Sequence, residues 1–291
     1  MAEPVTIEQQ ARTAGAQPTE LRRRAPLPLS GIPVFNYHGL GDGLSSGIPR
    51  DAQRFWLRPS QFRDHLAHIR EAGFHVATLG ELEAVSSGRV RRGPAVVLTF
   101  DDGLTSDYEF AFPLLVEFGM RGVFFVNPST VGGAGYLSWA QIAEMSKAGM
   151  AIQSHSHHHL DLTVLPRKAL ESELADSKRS LEDHLGRTVE FLAAPHGLLN
   201  RRVVRSALAS GYRAVCSTRC WPANPRSRVF TRITLHRDIG MDEFHAFLTG
   251  EVSIYARRLY RGMLHRPRRI AGHLAGIIRY RWLRQAAPVS K

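Results

Sequence analysis

The sequence predicts an α/β protein in which about seven βαβ units close into a barrel of parallel strands. Three observations carry this. Short apolar runs alternate with helical patterns from roughly residue 32 to residue 245, as parallel strands do when crossover helices join them. About seven such units over roughly 220 residues suit a closed barrel better than an open sheet. The polar motifs fall where strands end, the rim at which barrels place their chemistry.

Taken in order, Ile32 to His38 reads as the first strand, and a Gly/Ser/Asp-rich loop follows to about Arg54. Pro59 to Ala72 carries Phe62, Leu66 and Ile69 at helical spacing, and Gly73 stops it. Val76 to Leu79 is a short strand, and Ala95 to Phe100 a buried apolar one. Ser106 to Phe118 reads as a helix ended by Gly119, and Gly122 to Val126 as a strand. Ser138 is the N-cap of a helix that runs to Lys147 and ends at Gly149. Met150 to Gln153 is the next strand, and Pro166 to Leu185 a long polar-faced helix closed by Gly186. Val189 to Ala194 is a strand, Asn200 to Ser210 a helix and Arg213 to Ser217 a strand. Arg232 to His236 is the last strand and Met241 to Leu248 the helix after it. There is no internal repeat.

Composition bounds the function. The 291 residues are 43% hydrophobic and 22% charged, as in a globular protein. No apolar run reaches the ~18 residues of a membrane span. Met1 to Ser30 is polar, and Arg22-Arg23-Arg24 is not followed by the apolar core of a signal peptide. Residues 1–30 are therefore expected to be a disordered tail, and the protein to be cytoplasmic. Cys216 and Cys220 are the only cysteines, too few for a disulfide framework, and read as free thiols. The net charge is +12, but residues 251–291 hold ten Lys or Arg and one Glu, which leaves +3 for the other 250. The basic character belongs to the C-terminal segment, and the body carries no nucleic-acid motif.

Three strand-end motifs carry chemistry. Val97-Leu98-Thr99-Phe100-Asp101-Asp102-Gly103 is an apolar strand ending in two carboxylates. Such a pair is costly unless something neutralises it, and a cation does so. One Asp can bind the metal while the other remains a base. Alone, Asp-Asp-Gly reads as a solvated turn. The second motif, His155-Ser156-His157-His158-His159, follows a strand. Imidazoles at i and i+4 share one side of a helical turn. His155 and His159 can thus converge on one cation with Asp102 as third ligand and a position left for water. By composition, His157 and His158 are also available. The third motif is Phe191-Leu192-Ala193-Ala194-Pro195-His196-Gly197, where Gly197 permits a tight turn that can expose a backbone N–H as an oxyanion donor.

Together these segments resemble the polysaccharide deacetylase family (carbohydrate esterase family four, the chitooligosaccharide-deacetylase homology domain), over roughly residues 32 to 245. Thr99 to Gly103 matches its first motif residue for residue. His155 to His159, followed by Asp161-Leu162-Thr163, matches its metal-binding His-Ser/Thr-x-x-His motif. Tyr136-Leu137-Ser138-Trp139 and Phe124-Phe125-Val126 look like its usual companions. The resemblance implies a distorted (β/α) barrel and metal-dependent removal of an acyl group from an amino sugar, with Zn²⁺ as the expected ion and Co²⁺ or Mn²⁺ as substitutes. By position, Asp101 is the general base, and Asp102, His155 and His159 hold the metal. His196 takes the place of the aromatic residue whose backbone N–H helps bind the oxyanion. In Ile233-Thr234-Leu235-His236, His236 is the nearest match to the late Leu-x-His motif that protonates the departing amine, although Leu and His are adjacent here. The family's third motif usually has an Arg that holds the catalytic Asp. That place is Ala193, or Ala194 in a shifted register, so Asp101 needs another partner, such as Arg232.

Residues 31–250 are thus expected to be the catalytic domain and 251–291 a basic amphipathic extension. After Pro267, Ile270, Leu274, Ile277 and Ile278 share a helical face, with Arg279, Arg281 and Arg284 near its end. The stretch 254–284 reads as an anchor for an anionic membrane surface, with a helix packed on the barrel as the alternative. The expected partner is an N-acylated amino sugar in a polysaccharide or a lipid-linked glycan. Nucleic acid is not expected. A hydrolase of small non-sugar amides on the same fold, and a non-catalytic glycan- or lipid-binding module, are the competing readings. The acyl group, sugar, linkage and oligomeric state are not fixed.

Overall fold

In the computed structural model, which describes residues 31–41, 53–86 and 93–264, the apolar runs form nine strands whose pairings are all parallel. They are β1 (Val34–Tyr37), β2 (His75–Val76), β3 (Ala95–Phe100), β4 (Val123–Val126), β5 (Ala151–Ser154), β6 (Phe191–Ala193), β7 (Ala214–Ser217), β8 (Val229–Thr231) and β9 (Ile233–Thr234). The helices are α1 (Pro59–Glu71), α2 (Leu79–Ser86), α3 (Phe112–Glu117), α4 (Trp139–Lys147), α5 (Arg167–Leu185), α6 (Arg201–Ala209), α7 (Met241–Thr249) and α8 (Val252–Leu264). The sheet order is β8-β7-β6-β5-β4-β3-β1-β9, with β2 added to β3. Its two ends, β8 and β9, are separated in sequence by Arg232 alone. The chain itself crosses the remaining gap, giving a near-closed, distorted barrel.

The alternation of side chains along each strand sorts the core into two sets. Val34, Val97, Val123, Phe125, Ala193, Cys216 and Phe230 form the inner cluster. Their chain neighbours Phe35, Leu98, Phe124, Leu192 and Val215 face outward into a larger cluster shared with the helices. The helices bury one stripe each: Leu170, Leu174 and Leu181 on α5, and Phe62, His65, Leu66 and Ile69 on α1. Cys216 and Cys220 are both free thiols. No described helix is long and apolar enough to cross a membrane. The tail at 1–30 and the apolar face from Ile270 to Ile278 lie outside the described residues.

Three departures from the expected elements have local causes. The strand expected over Val76 to Leu79 stops at Val76, because Thr78 and Glu81 form a reciprocal cap that starts α2. Thr78 Oγ1 accepts from the Glu81 amide at 3.2 Å, and the Glu81 carboxylate accepts from the Thr78 amide at 2.8 Å. The helix expected over Ser106 to Phe118 begins as a π-helical turn, Asp107–Ala111, before α3. Pro113 has no N–H to donate to the preceding turn, and the wider turn accommodates that loss. The strand expected over Arg232 to His236 shortens to β9, and a strand that the sequence did not mark, β8, ends just before Arg232 on the opposite edge of the sheet, which brings the described strands to nine.

His65 is the one titratable side chain of the α1 stripe. It stacks on Phe244 with ring centroids 3.9 Å apart and shares a 3.2 Å hydrogen bond with the Tyr37 hydroxyl. Burial, and then the nearby His68, push its pKa from 6.5 down to about 4. A histidine depressed in the folded state opposes folding once it must charge, so stability is complete above the unfolded value and falls as pH drops from there toward 4. Urea denaturation of metal-free protein should show this loss, of about 3 kcal/mol for full protonation, and His65→Gln should flatten it. An unchanged pH profile in the variant would refute the assignment.

Candidate active site

Asp102 is the second residue after β3, and His155 directly follows β5, so both belong to the same rim of the barrel. His155 Nε2 lies 3.4 Å and His159 Nε2 3.3 Å from Asp102 Oδ1. One donor atom from each of the three lies within 4.8 Å of the others. The convergence does not come from a helical turn, because residues 155–159 are irregular. It comes from left-handed backbone: Ser156 has φ 64° and His159 φ 54°. With Asp102 at 79° and His196 at 57°, these are the four positive-φ residues other than glycine among the described residues. All four lie in the motifs that build this rim. Each costs of the order of 1–3 kcal/mol, which marks a functional constraint.

Side chains behind the loop hold it in this shape. Asn127 Nδ2 donates to the His155 and Ser156 carbonyls. The Glu173 carboxylate on α5 accepts from the His157 and His158 amides at 3.1 and 2.9 Å and pairs with His158 Nδ1 at 2.5 Å. His158 is therefore committed to Glu173. His155 Nδ1 donates to the Ala193 carbonyl at 2.8 Å, which leaves the Nε2 lone pair free to face Asp102. Two imidazoles and one carboxylate, with the histidine tautomer set from behind, are a donor set suited to zinc. Burial raises the Asp102 carboxyl, but the adjoining His155 and His159 outweigh it and hold the group well below the usual range.

Asp101 points into the barrel and meets Arg232. The guanidinium binds it with both ends, Nη1 to Oδ1 at 2.7 Å and Nη2 to Oδ2 at 2.8 Å. Nη1 also reaches Thr99 Oγ1 at 3.2 Å and Asn36 Oδ1 at 3.3 Å, and the guanidinium carbon lies 5.2 Å from the Phe125 ring centroid. Arg232 has no exposed surface and Asp101 only 3%. Burial pushes the Asp101 carboxyl up; Arg232, His155 and His38 outweigh it and keep it below its ordinary value. Asp101 thus finds its partner at the β8–β9 junction, while Ala193 and Ala194 are small and fully buried.

The other expected residues stand around this pair. His196 sits in a tight turn in which the Gly197 amide donates to the Ala194 carbonyl at 2.9 Å. Its ring meets His159 edge-on at 4.8 Å, and burial followed by the charges of His159 and His155 pushes it down to about 4. His236 contacts Phe55 at 4.9 Å, and the same ring lies 5.1 Å from a histidine the motifs did not single out, His38. Burial lowers His38, while Asp102 and then Asp101 act on it in the opposite direction. Burial, Arg258, Arg54 and His38 push His236 down to about 3. The sequence signal for His38 is a histidine at the end of the first strand.

Arg232→Met should destabilise the protein by about 3–5 kcal/mol, because it leaves Asp101 buried without a countercharge. Urea denaturation of Arg232→Met, Asp101→Asn and the double variant checks this. The double variant should recover most of the loss, and simple additivity would sink the ion-pair account.

A family model described as "Polysaccharide deacetylase" matches residues 88–215. The Bacillus subtilis protein YxkH, which carries the polysaccharide deacetylase name, is 27% identical over 188 residues, 64% of each chain. The poly-beta-1,6-N-acetyl-D-glucosamine N-deacetylase of Escherichia coli K12 is 33% identical over 114 residues, 38% of this chain and 16% of that protein. The chain thus spans less than two thirds of these relatives. Among solved structures, Streptococcus pyogenes deacetylase PplD superposes with a TM-score of 0.68 at 23% identity, covering 77% of this chain and 99% of that one. IcaB from Ammonifex degensii gives 0.64 at 25% identity, covering 76% and 97%. Residues 88–215 thus match the polysaccharide deacetylase family model, and the barrel around them superposes on solved structures named as deacetylases.

Proposed function

We propose that this protein is a divalent-metal-dependent hydrolase that removes an N-acetyl group from an amino sugar within a glycan. The observation that carries this reading is the division between adjacent carboxylates: Asp102 faces two imidazole nitrogens and Asp101 faces a guanidinium. The named activities of relatives support the substrate class, since they include a poly-beta-1,6-N-acetyl-D-glucosamine N-deacetylase and a chitin deacetylase. A cation held by Asp102, His155 and His159, with Zn²⁺ favoured over Co²⁺ or Mn²⁺, would supply a Lewis acid that polarises the acyl carbonyl and lowers the pKa of water from 15.7 to about 7.

The chain's own groups account for the proton movements. Asp101, kept ionised by Arg232, takes the proton of the attacking water. The backbone N–H of His196 is the donor for the tetrahedral oxyanion, a contact worth about 3 kcal/mol in related chemistry. The departing amine then needs a proton. His38 suits this step better than His236, because both carboxylates act on His38, whereas the charges that act on His236 are those of Arg258, Arg54 and His38. The glycan is a free or lipid-linked polymer intermediate, and a cytoplasmic enzyme at the inner membrane face fits the basic C-terminal segment.

Elemental analysis should find about one zinc per chain, lost in His155→Ala and His159→Ala while the fold persists. Zinc-loaded protein should release acetate from N-acetylglucosamine oligomers, and Asp101→Asn should cut the rate by about 10²–10⁴. Metal-replete protein that turns over no acylated amino sugar would overturn the reading. His38→Ala should cost more in kcat than His236→Ala, and the reverse order would return the acid role to His236.

A further inference from the structure

The same rim carries two aromatic rings that neither core cluster uses. Trp56 is half-buried, and Phe110 is 37% exposed. The Trp56 indole lies flat on the backbone just beyond His38. A methyl carbon built on Gly39 would stand 2.2 Å from its Cε2, so only glycine leaves room for the ring. The same construction on Gly41 meets Trp56 Cζ3 at 3.7 Å and Phe110 Cε2 at 3.8 Å, so both rings border one position. Phe110 is carried there by the π-helical turn that follows the Asp101-Asp102 loop.

The backbone beneath the rings is fixed. Arg237 Nε donates to the Trp56 carbonyl at 2.8 Å, and its Nη2 to the Gly41 carbonyl at 3.2 Å. The Arg237 amide donates to the Arg54 carbonyl at 2.8 Å. The Leu57 and Gly39 backbones are joined at 3.1 Å. One half-buried and one exposed aromatic ring on a rigid support, at the rim that carries the candidate site, suit a ligand with a flat apolar face. The C–H face of a pyranose ring is such a surface. The patch is only two rings wide, which fits one sugar and falls far short of a protein interface.

We propose that Trp56 and Phe110 form a stacking platform for a sugar ring next to the one being deacetylated, so that the site selects glycan chains over single sugars. This rests on the deacetylase reading for what is done to the chain, and only on the rings for how the chain is held. In zinc-loaded Asp101→Asn protein, calorimetry should show a β-linked N-acetylglucosamine pentamer binding, and Phe110→Ala or Trp56→Ala weakening it about tenfold. Trp56→Phe should retain most of the affinity. In the active enzyme, Phe110→Ala should raise KM for the pentamer and leave hydrolysis of para-nitrophenyl acetate within about twofold. Phe110 is exposed, so its variant carries the test should Trp56→Ala fail to fold. Pentamer binding that is absent, or unchanged in Phe110→Ala, overturns the platform. Equal losses on the pentamer and the small ester overturn it too. Ring-dependent pentamer binding by a protein that releases no acetate would instead sustain the platform and sink the deacetylase reading.

Discussion

A guanidinium with no exposed surface cannot remain inside a barrel unless a carboxylate meets it, and Arg232 and Asp101 meet with both hydrogen-bonding ends. Removing two charges from water costs several kcal/mol per ion, and good geometry with further hydrogen bonds offsets it. Much of the interior follows from that need. Thr99 and Asn36 place oxygens in a lumen otherwise lined by Val34, Val97 and Phe125, and both reach the guanidinium. The neighbouring strands contribute the small Ala193 and Cys216. The sheet breaks between β8 and β9 at the residue whose side chain fills the gap.

The pair also separates two carboxylates that the sequence makes adjacent. Successive residues leaving a strand diverge, and the positive φ of Asp102 completes the turn that aims it at His155 and His159. Left-handed backbone at Asp102, Ser156, His159 and His196 is a concentrated local cost. It persists because Asn127, Glu173 and the Ala193 carbonyl fix the loop from behind. The same barrel that buries the ion pair therefore carries the strain of the face formed by Asp102, His155 and His159.

Much of this was legible in the residues. The strand Ala95–Phe100 and the helix beginning after Ser138 stand where their apolar runs and caps place them. Spacing named Asp102, His155 and His159, because motif order survives folding. It did not reveal why the histidines converge, since a left-handed φ at Ser156 leaves no mark on composition. The start of α2 was written in Thr78 and Glu81 but competes with a strand pattern. Arg232 was one option among several for holding Asp101, because a partner 131 residues away has no local signature. His38 escaped for the same reason: its neighbours at the rim come from other strands.

The seam at Arg232 ties competence to closure. Every other neighbouring pair in the ring is joined by strand hydrogen bonds, whereas β8 and β9 meet only through one residue of chain. Docking β9 on β1 and β8 on β7 is what delivers the guanidinium to Asp101. A molecule whose seam has opened would keep most of its helices and the cluster of Asp102, His155 and His159, yet Asp101 would have lost the charge that keeps it ionised. The clasp of the barrel thus also sets a charge: Asp101 gains its countercharge at the moment the ring shuts.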